Sequence, residues 1–122
     1  MKILFWNVRG LNSGGRRRQL GDLMAKHQVD VVCLQETIKQ NFTVRELAGL
    51  ARGQEMSWNW VPPEGRSGGL PLGTNTDILD VVQYNHGRYH QCSSVLKNRG
   101  SGFSWGIINV YGPVQLDLNL IF

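Results

Sequence analysis

Two cysteines in 122 residues, Cys33 and Cys92, are too few and too far apart for a disulfide framework, and no Cys-x-x-Cys pair offers a soft metal site. Long apolar runs are missing as well. The longest fall far below the ~20 residues a membrane-spanning helix needs. No basic, then apolar, then small-residue leader opens the chain. A protein inside the cell, with no membrane partner, is the expectation. Histidine is scarce, and the segment His86-x-x-x-His90-x-Cys92 lacks the second anchoring pair a metal site would need, which leaves these as surface polar residues. Neither an internal repeat nor a linker divides the chain, so one domain is expected.

Glycine, by contrast, is abundant. Most of the 15 glycines follow Glu64, a distribution that suits β-structure with tight turns. A hydrophobic content of 41% and a charged content of 18% are ordinary for a globular core. The net charge of +4 is unevenly spread. Residues 1–52 hold nine Lys/Arg against four Asp/Glu, a balance of +5, and residues 53–122 hold four against five, a balance of −1. Arg9, Arg16, Arg17 and Arg18 concentrate positive potential near the start, where a polyanion would be attracted and its counterions released. A solvated basic helix start is the alternative.

Periodicity supplies the elements. Lys2 to Asn7 reads as a short buried strand, and Gly10 to Gly15 as a loop. Leu20, Leu23 and Met24 mark one face of a helix over Arg16–Lys26, opposite the arginines. Val29 to Gln35 returns as a strand. Strand, helix and strand over about 30 residues make a βαβ unit with parallel strands, which brings Asn7 and Glu36 to the same edge. Thr43-Val44-Arg45-Glu46 is a capping box that opens a second helix, stopped by Gly53. Strands are then expected at Met56–Val61, Leu70–Leu72, Ile78–Tyr84, Gln91–Leu96 and Phe103–Val110, separated by turns. The fold class is α/β at the start with a β meander after it.

Three short motifs place polar groups at or just past the ends of apolar runs: Trp6-Asn7-Val8-Arg9-Gly10, Leu34-Gln35-Glu36-Thr37 and Asn109-Val110-Tyr111-Gly112-Pro113. Polar side chains on strand ends can converge on a ligand while the strands hold the geometry. Glu36 suits a hard cation such as Mg²⁺, which takes oxygen ligands; it would equally serve as an exposed carboxylate or an arginine partner. Asn7 offers a carbonyl and an amide to a carboxylate, a metal-bound water or a phosphate oxygen, and would equally close a turn. The Tyr111 hydroxyl can reach a phosphate, although a strand-end tyrosine also serves as packing.

Taken together, and with Gly65-Arg66-Ser67-Gly68-Gly69-Leu70 between them, these motifs resemble the endonuclease domain of plant LINE-type (non-LTR) retrotransposons. That domain is a branch of the endonuclease/exonuclease/phosphatase superfamily, which includes DNase I. The resemblance covers residues 1–113. It implies a DNase I-like two-sheet α/β sandwich with outer helices, of which this chain supplies the N-terminal half, mainly one sheet with its helices. That sheet's inner face would then lack a partner, with Trp58, Trp60, Phe103 and Trp105 as candidates for the affected core. The implied activity is hydrolysis of a DNA phosphodiester, nicking the target to prime reverse transcription. The implied partners are DNA and a divalent cation, Mg²⁺ or in its place Mn²⁺, with no small-molecule cofactor and a nuclear location.

Residue by residue, Glu36 matches the family's metal-binding glutamate, Asn7 its active-site asparagine and Tyr111 the tyrosine that contacts the scissile phosphate. The Asp-Phe-Asn motif and the Asp-His pair that activates water in the family have no counterpart here, since every histidine precedes Tyr111. Residues 114–122 also depart from the charged helix expected after the Tyr-Gly-Pro turn. The sequence therefore predicts a truncated domain over 1–113 with a divergent tail over 114–122, inactive as an isolated chain. A non-catalytic nucleic-acid-binding remnant, or a fragment with no selected function, are the alternatives.

Overall fold

A computed structural model describes residues 1–8, 10–11, 14–35, 43–52, 54–59, 71–87 and 91–110. Seven strands and two helices are assigned in it: β1 (Ile3–Asn7), α1 (Gly14–His27), β2 (Val31–Gln35), α2 (Val44–Ala51), β3 (Met56–Asn59), β4 (Leu72–Asn75), β5 (Leu79–Gly87), β6 (Gln91–Asn98) and β7 (Ser104–Val110). They form a four-stranded sheet in the order β1-β2-β4-β3 and a three-stranded antiparallel sheet in the order β5-β6-β7.

The two sheets follow from the patterning of β2. Its run Val31-Val32-Cys33-Leu34 is fully buried because both faces are covered. Val32 and Leu34 point to the helices, where they pack with Leu20 and Met24 of α1 and with Leu47 and Leu50 of α2. Val31 and Cys33 point the other way, onto Leu79, Leu96 and Ile107 of the second sheet. Alternate residues of one strand thus serve two cores, which is the period-2 geometry of a pleated strand.

The βαβ unit forms as the sequence predicts. β1 and β2 run parallel, with Asn7 in register with Gln35. Leu20 and Met24 are buried under α1 while Arg18 is exposed. α1 ends where Gln28 turns left-handed at φ 50°, and the Val29 amide bonds back to the Met24 carbonyl, the closing turn of a Schellman motif. α2 opens on the predicted capping box: Glu46 N–H donates to Thr43 Oγ1 at 3.1 Å, and Thr43 N–H donates to the Glu46 carboxylate at 3.3 Å.

Several expectations need correction. α2 closes on Arg52, left-handed at φ 47°, while Gly53, expected to stop the helix, lies outside the described residues. Arg52 has partners that offset the conformational cost: its guanidinium is paired with Asp22 of α1 and donates to the Arg18 carbonyl at 3.2 Å. It crosses α1 over Gly21, where an added Cβ would lie 2.9 Å from Arg52 Nε. The strand expected at Leu70–Leu72 is instead β4, Leu72–Asn75, inserted antiparallel between β2 and β3. Gly73, just past the strand expected from sequence, serves as the seat of Trp58, whose ring would lie 2.7 Å from a Cβ there.

The chain also contributes strands to both sheets, so the inner face of β2 and β4 is covered rather than bare. Cys92, expected in a polar surface strand, is 2% exposed. Phe103, expected in the core, is 64% exposed, whereas Trp58 packs against the helical core and Trp105 against the inter-sheet core. Trp60 and the 114–122 tail lie outside the described residues.

Candidate active site

The parallel strands β1 and β2 end side by side, and α1 starts at that same end of the sheet. Asn7, half-buried, closes β1 opposite Gln35, and the Val8 amide donates to the Gln35 carbonyl at 3.0 Å. Val8 and Leu11 are fully buried, which fixes the chain just after the strand. Glu36 follows Gln35 in the sequence, but Glu36, Arg9 and Tyr111 all lie outside the described residues.

Across the sandwich, β7 brings a third polar residue to this point. Asn109 is 2% exposed. Its side-chain Nδ2 donates to the Leu34 carbonyl at 3.0 Å, and its Oδ1 accepts from Gln35 Nε2 at 3.2 Å. Leu34 and Gln35 are the last two residues of β2, and Asn109 stands two residues before Tyr111. The second and third sequence motifs are therefore joined by hydrogen bonds between the two sheets. Neither Gln35 nor Asn109 is among the site residues expected from the motifs that contain them. The available signal was an amide inside the apolar run Ile107-Ile108-Asn109-Val110, where an unpaired polar group would be costly.

The predicted basic cluster divides by environment. The Arg16 guanidinium sits 5.9 Å from the centroid of the Trp6 ring, a cation–π arrangement at the base of the first motif. Arg17 Nη1 donates to the Leu11 carbonyl at 3.0 Å and lies 3.9 Å from the Glu46 carboxylate. Arg18 is exposed. All three stand in the first turns of α1, which puts their charge at the Asn7 end of the sheet.

A polar cleft of about 370 Å³ lies at the opposite end of the strands, lined by Met1, Lys2, Gln28, Asp30, Gln54 and Asn75. Its carboxylate is already engaged, since Asp30 accepts from the Lys2 backbone amide at 3.0 Å and from Asn75 Nδ2 at 3.4 Å. The inter-sheet core holds the two thiols. Burial, then the neighbouring Cys92, pushes Cys33 up to about 12, and burial raises Cys92 despite an opposing hydrogen bond with Tyr84. Both remain protonated near neutral pH, unsuited to nucleophilic or metal-binding roles. Among the described residues no group of three His, Cys, Asp or Glu side chains gathers to hold a metal. The described strand ends offer neutral amide oxygens, which suit a hard cation only beside a carboxylate.

Residues 4–104 match the model of the endonuclease/exonuclease/phosphatase family. The chain belongs to that family. Its fold is correspondingly the DNase I-like arrangement of two sheets with helices outside. Among solved structures it is similar to the catalytic domain of human Nocturnin with bound sulfate, at 18% identity and a TM-score of 0.65, covering 87% of this chain and 47% of that one. A family protein from Bacteroides vulgatus matches at 15% identity and a TM-score of 0.64, covering 88% and 50%. D. rerio TDP2 complexed with a single-strand DNA product matches at 14% identity and a TM-score of 0.57, covering 98% and 52%. The chain thus spans about half the length of the structures it matches, and at these identities the likeness concerns the fold. No curated protein matches the sequence at a significant level.

Proposed function

We propose that this chain forms the metal- and phosphate-binding half of a phosphodiesterase that acts on DNA, the nicking endonuclease of a plant LINE-type retrotransposon. The observation that carries the reading is the convergence of Asn7, Gln35 and Asn109 at one end of the sandwich, because the chain continues from Gln35 into Glu36 and from Asn109 toward Tyr111. Membership of the family supports the hydrolase class. The single-strand DNA product held by the similar TDP2 supports a nucleic-acid substrate, and the +5 balance of residues 1–52 suits a polyanion.

In this reading Glu36 holds Mg²⁺ or Mn²⁺, which when bound neutralises charge developing on the phosphoryl oxygens. The chain's own groups position the substrate. Asn7 hydrogen-bonds a phosphate oxygen or the Glu36 carboxylate, the Tyr111 hydroxyl donates to the scissile phosphate, and Arg9, Arg16, Arg17 and Arg18 hold flanking phosphates electrostatically. No histidine follows Tyr111 in these 122 residues to serve as the family's water-activating base. The isolated chain is therefore expected to bind without turning over. A nuclear location goes with a DNA target.

Duplex-DNA binding and supercoiled-plasmid nicking, each measured with Mg²⁺ and with EDTA, test the reading. Expected are Mg²⁺-strengthened binding that Glu36→Ala abolishes, and no nicking. Salt-sensitive binding indifferent to both Mg²⁺ and Glu36→Ala would replace it with a non-catalytic binder that uses the basic residues alone. Nicking lost in Glu36→Ala would keep the phosphodiesterase and remove the claim that the isolated chain is inactive.

A further inference from the structure

Asn109 is a polar residue in an apolar place, with Ile107 buried on the same face of β7 and Ile108 pointing out at 56% exposure. Burying a primary amide is unfavourable unless its donor and its acceptor are both used. Here each is used on the facing sheet. The antiparallel register of β2 with β4 ends at Cys33 and Leu72, and the Leu34 carbonyl, one residue past that pair, takes the Asn109 amide proton. The carboxamide oxygen of Asn109 meanwhile fixes the side chain of Gln35. These two bonds span 75 and 74 residues of sequence. Their effect is to clamp the last two residues of β2, directly before Glu36, to the strand that leads to Tyr111.

We infer that Asn109 is a positioning residue: its bonds to Leu34 and Gln35 set the backbone from which Glu36 holds its cation, and couple that segment to the one bearing Tyr111. The inference rests on the metal-binding reading of Glu36. Ser94 supplies the structural control. It is a buried polar residue, 3% exposed, on the adjacent strand β6, and its hydroxyl donates within its own sheet to the Gln83 carbonyl at 2.9 Å.

Three variants separate positioning from bulk stability. Gln35→Ala removes one of the two bonds at a half-buried site and leaves the Asn109–Leu34 bond. Asn109→Asp keeps an acceptor for Gln35 but removes the donor to Leu34. Ser94→Ala deletes a buried bond away from the site. Mn²⁺ affinity of the 122-residue chain is measured by electron paramagnetic resonance. Thermal melting and the ¹⁵N amide shifts of Glu36 and Tyr111 are followed alongside. Gln35→Ala and Asn109→Asp are expected to weaken Mn²⁺ binding about tenfold, the usual scale for groups that orient a metal ligand. Gln35→Ala is also expected to shift the Tyr111 amide, whereas Ser94→Ala lowers the melting temperature without changing Mn²⁺ affinity.

Wild-type Mn²⁺ affinity retained in a folded Gln35→Ala chain would overturn the inference while leaving Glu36 as ligand. An equal loss of affinity in Ser94→Ala would also overturn it, by showing that any loss of stability suffices. Absence of Glu36-dependent Mn²⁺ binding in the wild type would remove the metal reading and the inference with it. Should Asn109→Asp fail to fold, Gln35→Ala decides the matter alone.

Discussion

At the scale of single residues, the inter-sheet core makes a prediction through its acids. Cys33, Cys92 and Tyr84 are all shifted in one direction, upward, with burial as the first cause in each case. The folded chain therefore holds these protons more tightly than the unfolded chain does. Well below pH 9 the thiols are protonated in both states and contribute no pH dependence. As pH rises from the ordinary thiol value of 9.0 toward the folded value of about 12, the unfolded Cys33 ionises while the folded one does not, so stability falls. The melting temperature is expected to decline over that window, and less steeply in Cys33→Ala. An identical pH slope in the variant would refute the assignment to Cys33. The burial of Cys33 was legible, because it sits inside the run Val31–Leu34. Cys92 was not, because its neighbours Gln91, Ser93 and Ser94 are polar and the thiol it lies near, Cys33 of the other sheet, is remote in sequence. Asn109 escaped for the same reason: its partners are remote in sequence, and a single amide in a strand carries no periodicity.

At the scale of elements, legibility follows the range of the determining contacts. The βαβ unit and the start of α2 depend on local signals, and both formed as read. The C-terminus of α2 depends on a long-range partner. Arg52 adopts the left-handed turn because Asp22 and the Arg18 carbonyl, 30 and 34 residues earlier, anchor its guanidinium. β4 was displaced for a similar reason. Gly73 leaves the space that Trp58 of β3 needs. The capping box is the most direct test at this scale. Thr43→Ala removes the acceptor for the Glu46 amide and is expected to cost about 1 kcal/mol, with Thr43→Ser restoring most of it. Chemical denaturation with an unchanged m-value would report that loss. A wild-type midpoint in Thr43→Ala would mean that α2 is held by Leu47 and Leu50 alone.

At the scale of the whole molecule, the distribution of apolar surface is uneven. Ile3 and Phe5 of β1 are in register with Val31 and Cys33, so they share the face that packs against the second sheet. Yet Ile3 is 40% and Phe5 54% exposed, because the three strands β5, β6 and β7 cover β2 and β4 and do not reach over β1. Among the described residues β1 is hydrogen-bonded to β2 alone and β7 to β6 alone, which leaves one open strand edge on each sheet on this side. Open edges beside exposed aromatic surface favour pairing with another chain. For the isolated 122 residues the available occupant is a second copy, and an antiparallel pairing of like edges is self-complementary. Concentration-dependent association is therefore expected in sedimentation velocity. Phe5→Lys, which places a charge on the open edge without touching the helical core, is expected to shift the population toward monomer and leave the melting temperature of the monomer within a few degrees. A wild-type chain that stays monomeric at high concentration would show that this edge is protected, and that the exposure of Phe5 has no consequence for association.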